Sequence, residues 1–192
     1  MRTAYLIVCT FLKIVMTPFF PMRYVGRENI PEGAAIICAN HSASSDPVLV
    51  AIALGAKTFP RFMAKMELFR IPVLGSLLRL IGVFPVDRRK PSDTEAIRIA
   101  MGHLKNGNKI MLFPEGTRVS PGDAIAAKTC AIRLSMRMQA PILPIKIPRN
   151  KRWFRRDTVY IGEPYIVLES KREDYKLLSD QLMERIDSLG GV

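Results

Sequence analysis

The chain has 192 residues, of which 48% are hydrophobic and 24% charged, so it can form one domain with a buried core. This composition excludes an intrinsically disordered chain, and the lack of an internal repeat argues against a solenoid. The net charge of +12 predicts attraction to polyanions, namely nucleic acid, anionic lipid surfaces or phosphorylated substrates. A slightly positive mean hydropathy in so basic a chain favours an anionic bilayer over nucleic acid.

Residues 1–22 combine a basic start with an apolar stretch and are predicted to associate with a membrane. Lys13 and Pro18 interrupt the stretch, which is therefore short for a spanning helix of about 20 apolar residues. No small-residue cleavage site follows it, so a signal peptide is not indicated. We predict a helix lying in or dipping into the membrane interface, and a buried amphipathic helix is the alternative.

Residues 23–192 are predicted to form one domain, entered through a turn-rich link at 24–31. The predicted strands are 34–39, 58–64, 82–86, 109–113 and 141–147, with edge strands at 158–161 and 165–168. The predicted helices are 48–54, 92–106, 124–138 and 173–189, and an apolar segment covers 71–80. This alternation predicts an α/β fold with a mainly parallel central sheet flanked by helices. Reactive groups in such folds gather at the carboxyl ends of the strands.

A candidate general base follows the predicted strand 34–39. His41 comes directly after this strand, and Asp46 lies five residues further on, before Pro47. A carboxylate that meets a histidine across a loop can fix its tautomer and support proton transfer. The Asp-Pro pair also predicts a helix start, with Asp46 as N-cap and Pro47 at the first helical position. These residues alone leave both roles of Asp46 open.

Two further clusters follow predicted strands and carry groups suited to phosphate. Arg88 comes after the strand 82–86, and a guanidinium can grip phosphate through two parallel hydrogen bonds. The second cluster comprises Glu115, Gly116, Thr117 and Arg118. Its glycine lets the backbone approach a ligand, and its threonine and arginine are donors. The alternatives are a solvated charge for the first cluster and an ordinary turn with a salt bridge for the second.

Cysteine and histidine usage gives little support to a metal site. The chain has three cysteines without CxxC spacing and only two histidines. Buried thiols in a reducing compartment are the simpler interpretation of the cysteines. Ser42, Ser44 and Ser45 lack a GxSxG context, so we assign no serine nucleophile.

Four sequence blocks, NHSASSD, GVFPVDR, FPEGTR and APILPI, together resemble the ordered motifs of the glycerolipid acyltransferase family. That family includes the 1-acyl-sn-glycerol-3-phosphate (lysophosphatidate) acyltransferases. The resemblance covers about residues 25–147, and the intervening AKMELFR stretch is also similar to the family. Each block is short, but four in order at ordinary spacing are highly specific.

The resemblance implies that residues 23–192 are an acyltransferase domain acting on a 1-acyl-glycerol-3-phosphate acceptor to make phosphatidic acid. His41 would deprotonate the acceptor hydroxyl, and Asp46 would orient His41, with no acyl-enzyme. The residues implied in binding the glycerol phosphate are Lys65, Arg88, Glu115, Gly116, Thr117 and Arg118. The block at residues 141–145 would shape the acyl or active-site floor. The donor would be acyl-CoA or acyl-carrier protein, and no cofactor or metal is implied.

Two departures from the family pattern leave the identity of the acceptor open. Val119 stands where the family often has serine, and the sequence AKTC at 127–130 stands where FK-x-G is common. Another lysolipid acceptor, or hydrolysis of acyl thioesters, would use the same base.

The basic segment 148–156, PRNKRWFRR, predicts a second membrane contact because it interleaves five cations with two aromatic residues. The same composition also suits single-stranded nucleic acid, and a solvated loop is the simplest alternative. With the resemblance, we expect an anionic phospholipid membrane as partner, at its cytoplasmic face, and no nucleic acid. A non-catalytic basic binding module stays as the competing hypothesis.

Overall fold

The computed structural model describes residues 1–87, 94–118, 127–168 and 170–191, and its centre is a β-sheet with helices packed on both faces. The strands described are β1 (Met22–Val25), β2 (Ala35–Ala39), β3 (Arg61–Lys65), β4 (Phe84–Val86), β5 (Lys109–Leu112), β6 (Ile142–Lys146) and β7 (Asp157–Ile161). The α-helices described are α1 (Arg2–Phe19), α2 (Asp46–Leu54), α3 (Leu74–Leu80), α4 (Thr94–Lys105), α5 (Cys130–Met138) and α6 (Tyr175–Ser188). Short 3₁₀ turns cover Arg27–Asn29, Met66–Arg70 and Arg172–Asp174.

The strands of the described residues lie in the order β1-β7-β6-β2-β5-β3-β4. The five strands from β6 to β4 are mutually parallel, while β7 pairs antiparallel with β6 and parallel with β1. All five residues of β2 are buried because the strand is central and covered on both faces. The predicted α/β architecture with a mainly parallel sheet is therefore confirmed.

Two hydrophobic cores fill the spaces between the sheet and its helices. On one face, α4, α5 and α6 pack on alternate residues of the central strands, among them Ile36 and Ile110. On the other face α2 packs on the intervening residues, such as Ile37 and Met111. The period-2 alternation of a strand sends its neighbouring side chains to opposite cores.

Helix α1 lies outside α2 and buries little of its surface. Tyr5 and Cys9 are its buried residues, and they pack with Ala51 and Phe59. By length and composition alone the helix could cross a membrane. The prediction of a helix in residues 1–22 is confirmed, and the alternative of a buried helix fits only these two positions.

Several predicted boundaries are wrong. The link at 24–31 contains the end of β1, and β7 lies between β1 and β6 instead of at an edge. In place of an edge strand at 165–168 there is a single bridge between Tyr165 and Ile142. In the predicted helix 124–138, the described residues become helical only at Cys130.

Candidate active site

The carboxyl ends of β2, β5 and β6 form one edge of the sheet, and the candidate residues lie there. Cys38 pairs with Leu112, and Ala39 pairs with Ile145, so all three strands end at the same level. The loops that leave these ends begin with Asn40, Phe113 and Ile147 respectively. The structure therefore brings His41 and Glu115 together, as their positions after strands predict.

Asn40 fixes the point at which the chain leaves β2. Its side chain is fully buried, donates to the carbonyl of Ile147 at 2.8 Å, and accepts from the Ile147 N–H at 2.7 Å. Two opposed hydrogen bonds to one residue leave the amide a single orientation. Asn40 thus ties the β2 end to the β6 end directly beside His41.

His41 and Asp46 form a hydrogen-bonded pair, with His41 Nδ1 at 3.0 Å from Asp46 Oδ2. The same oxygen accepts from the backbone N–H groups of Ser42 and Ala43, both at 2.7 Å. Since a carboxylate is an acceptor, Nδ1 carries the proton and Nε2 carries the lone pair. The prediction of Asp46 as helix N-cap is wrong: Ser45 occupies that position, and the Asp46 carboxylate turns back onto the loop.

The His41 ring is also held by an aromatic contact. It stacks on Phe113 with ring centroids 4.0 Å apart and an angle of 16° between the planes. No described residue hydrogen-bonds to Nε2, although the histidine is largely buried. A fixed imidazole with a free lone pair is the arrangement that a general base requires.

Glu115 contacts the backbone of His41 and a second loop. Its Oε2 accepts from the His41 N–H at 2.9 Å, and its Oε1 pairs with Arg149 Nη2 at 3.0 Å. Arg149 also reaches Asp187 near the end of α6, at 3.3 Å. Burial raises the pKa of Glu115, and the contacts with Arg149 and His41 offset only part of that effect. Glu115 is thus a buried link between loops.

Lys151, in the loop between β6 and β7, pairs with the other oxygen of Asp46. Its Nζ lies 2.8 Å from Asp46 Oδ1, and only 5% of its side chain is exposed. Burial alone would raise the pKa of Asp46, but the hydrogen bonds from His41 and Ala43 and the Lys151 charge lower it below its ordinary value. Asp46 is therefore ionised at neutral pH.

The other predicted binding residues that the structure describes lie at the same edge of the sheet. Arg118 Nη1 donates to Ser44 Oγ at 2.8 Å, which joins the loop after β5 to the loop before α2. Thr117 is exposed, and Lys65 is exposed at the end of β3. Arg88 lies outside the described residues.

Gly116 has a backbone conformation that favours glycine, with φ of +69°. A Cβ at this position would lie 2.5 Å from Cε of Lys128, whose side chain crosses the glycine. The Lys128 N–H donates to the carbonyl of Pro114 at 2.8 Å and fixes the two segments together. Lys128 therefore adds a cation beside the residues predicted from the sequence.

Arg149, Lys151 and Lys128 are site residues whose roles the sequence did not predict. Arg149 and Lys151 lie in the basic segment 148–156, which was predicted as a membrane contact as a whole. Their position after β6 was the available signal, because β6 is parallel to β2 and adjacent to it. Within the described residues, no group of three or more His, Cys, Asp or Glu could hold a metal ion.

A family profile described as Acyltransferase matches residues 21–148 of the chain. The 1-acyl-sn-glycerol-3-phosphate acyltransferase of Bacillus subtilis is 30% identical over 192 residues, covering 93% of this chain and 92% of the relative. The enzyme of the same description from Borreliella burgdorferi is 29% identical, covering 93% of this chain and 73% of the relative.

A solved structure has the same fold. It is the crystal structure of the 1-acyl-sn-glycerophosphate (LPA) acyltransferase, PlsC, from Thermotoga maritima. The two chains superpose with a TM-score of 0.71 at 28% sequence identity, over 96% of this chain and 78% of the other.

Proposed function

The chain belongs to the acyltransferase family, and from that premise we propose that it moves a fatty acyl group onto the free hydroxyl of a 1-acyl-glycerol-3-phosphate, making phosphatidic acid. The carrying observation is His41, held by Asp46 at 3.0 Å, with its Nε2 unpartnered among the described residues. The proposed donor is a fatty acyl thioester, either acyl-CoA or acyl-carrier protein.

In the proposed reaction, His41 Nε2 takes the proton of the acceptor hydroxyl as its oxygen attacks the thioester carbonyl carbon. The Asp46 carboxylate, ionised and fixed by backbone N–H groups, stabilises the positive charge that forms on the imidazole. Collapse of the tetrahedral intermediate breaks the carbon–sulfur bond, and the proton on His41 passes to the leaving thiolate. In this mechanism the acyl group never bonds to the protein.

The phosphate of the acceptor needs cations near the base, and the edge of the sheet supplies them. We propose that Lys65, Arg88, Arg118 and Lys128 neutralise it, with Gly116 and Thr117 presenting donors in the same turn. In the described part of the chain, no hydrogen bond or ion pair engages the ammonium groups of Lys65 and Lys128. Glu115 is assigned a different role, since both of its oxygens are engaged by protein donors.

An amphiphilic acceptor is met at a bilayer, and an exposed apolar surface supports membrane association. It comprises Ile7, Phe11, Ile14, Val15, Phe19, Trp153 and Phe154. Trp153 and Phe154 are 65% and 69% exposed, and the centroid of each ring lies 5.7 Å from that of Phe19. Arg152, Arg155 and Arg156 flank them and are exposed, as suits an anionic surface. We propose the cytoplasmic face, since Cys9, Cys38 and Cys130 are free thiols.

A thiol-release assay with vesicle-borne lysophosphatidate and an acyl-CoA tests the proposal. His41→Ala should lose nearly all thiol release while its circular dichroism and melting temperature stay near those of the wild type. The matched control is His103→Gln in α4, the second histidine of the chain, which packs against Phe84 away from the site and should keep its activity. Full activity in His41→Ala would refute the mechanism.

A panel of acceptors and donors resolves the remaining choices. Mass spectrometry of the lipid product identifies the acceptor, and comparing acyl-CoA with acyl-carrier protein identifies the donor. Thiol release that does not depend on any acceptor would indicate a thioesterase instead. Unaltered function in variants of His41 and Asp46 would favour a non-catalytic binding module.

A further inference from the structure

We propose that Lys151 is a positioning residue for the acyl transfer, which acts on His41 through the carboxylate of Asp46. From the β6–β7 loop it fixes the orientation and the charge of that carboxylate. The inference rests on the proposed function, in which His41 is the base.

Three neighbours inside the protein hold the Lys151 ammonium. Its Nζ pairs with Asp46 Oδ1 at 2.8 Å and donates to Ser42 Oγ at 3.0 Å and to the carbonyl of Pro148 at 2.7 Å. Two of its three donors are used in hydrogen bonds to Ser42 and Pro148, and the charge of the ammonium lies against Asp46 Oδ1. Only 5% of the Lys151 side chain is exposed, in contrast to the solvated cations around it. Burying an ammonium group is costly unless it is paired, so the pairing with Asp46 accounts for its position.

The two oxygens of Asp46 have separate duties. Oδ2 accepts from His41 Nδ1 and from two backbone N–H groups, whereas Lys151 is the group that pairs with Oδ1 among the described residues. Without Lys151, a fully buried oxygen would carry negative charge with no compensating cation. The carboxylate would then be easier to protonate, and its plane would be held from one side only.

The charges around Asp46 and His41 come from three segments. Asp46 itself begins α2, Glu115 follows β5, and the β6–β7 loop contributes Arg149 and Lys151. Arg149 Nη2 is shared between Glu115 and Asp187, and among the described ion pairs none joins Arg149 to Asp46. The carboxylate therefore depends on Lys151 for its countercharge.

Lys151→Met is the test variant, and Lys105→Met is the matched control. Both remove one lysine charge by the same substitution, but Lys105 is exposed at the end of α4, where the chain turns toward the start of β5, and should leave the activity unchanged. Lys151→Met should lower kcat about 10- to 100-fold, the range found when groups that orient metal-bound histidines are lost. The KM values for donor and acceptor should stay within about twofold, as expected when an interaction is lost in the transition state and not in substrate binding.

Two further measurements exclude a merely structural role. Removing the cation raises the pKa of Asp46, so the acid limb of the pH–rate profile should move to higher pH. In an Asp46→Asn background, Lys151→Met should lower kcat no further, because the group it acts on has lost its charge. Lys151→Gln keeps a hydrogen-bond donor without the charge, so it serves as the test variant if Lys151→Met does not fold. Its acid limb should move to higher pH in the same way.

Three results would overturn the inference. The first is a raised KM with an intact kcat in Lys151→Met, which would make Lys151 a substrate contact. The second is an acid limb of the pH–rate profile that does not move in a folded Lys151 variant. The third is a loss of kcat on Lys151→Met that is equal in the wild-type and Asp46→Asn backgrounds. Full activity in His41→Ala would instead overturn the proposed function, so the two failures are distinguishable.

Discussion

Replacing Glu115 by methionine separates two roles for this residue, binding the acceptor or positioning His41. Methionine has a similar length but no acceptor oxygen, so the His41 N–H and Arg149 both lose their partner at 2.9 and 3.0 Å. Each lost buried hydrogen bond costs about 1–3 kcal/mol, and removing a buried carboxylate charge offsets part of that cost. We expect a net loss of about 3 kcal/mol, which is about 6–12 °C in Tm for a chain of this size.

The kinetic signature decides between the two roles. A positioning role predicts that kcat falls about tenfold or more, because the backbone of His41 is released, while the KM for lysophosphatidate is unchanged. A role in binding the acceptor predicts a raised KM for lysophosphatidate and an unchanged kcat. Glu115→Gln keeps one acceptor oxygen and should lie between wild type and Glu115→Met, and the exposed Glu163→Gln is the control. A raised KM with an intact kcat would refute the positioning role.

The pH dependence of unfolding provides a second check on Glu115. Its pKa in the folded state is raised by burial, so its contribution to stability is full below the ordinary carboxyl pKa and is lost as pH rises through the folded value. The difference in unfolding free energy between wild type and Glu115→Met should therefore narrow with rising pH. If the difference in unfolding free energy widened with rising pH, the ion pair with Arg149 would affect the pKa of Glu115 more strongly than burial does.

Three other variants have defined outcomes. Asn40→Ala leaves the buried N–H and C=O of Ile147 unpaired and should cost about 2–5 kcal/mol in urea unfolding, with activity lost at lower temperature than in wild type. Asp46→Asn removes stability that is full above the ordinary carboxyl pKa and is lost as pH falls through the lowered folded value, so its unfolding deficit should shrink in acid. Replacing Trp153 and Phe154 together by serine should weaken sedimentation with anionic vesicles, while activity on detergent-dispersed acceptor stays intact.

The central strands and the His41–Asp46 pair could be predicted because their signals are local. The run at β2 is apolar at every position, and His41 follows it directly, so the strand-end rule places the histidine correctly. β1 was missed because its residues alternate between half-buried and exposed and it is only four residues long. Such a strand is defined by its pairing with β7, 135 positions later in the register of Met22 with Asp157, which no local pattern encodes.

The role of Asp46 was predicted only in part, for a physical reason. Asp-Pro is a strong helix-start signal, so the N-cap interpretation accounted for the residue on local grounds alone. In the structure the carboxylate makes no capping bond, because three donors from residues 41–43 compete for it. Local propensity thus placed the helix start within one residue and gave the wrong partner for the side chain.

The basic segment 148–156 shows why a cluster of cations in the sequence does not have to form one charged surface in the structure. It contains five cations, but Arg149 and Lys151 turn inward to Glu115 and Asp46. Glu115 lies in the turn after β5 and Asp46 at the start of α2, each more than 30 residues away in sequence, so the composition of the segment does not indicate either partner. Only the exposed arginines beside Trp153 are left to attract an anionic bilayer. The same loop carries both the membrane-contacting residues and the countercharge of Asp46. We therefore expect an insertion of a few residues next to Trp153 to disturb the His41–Asp46 pair through Lys151.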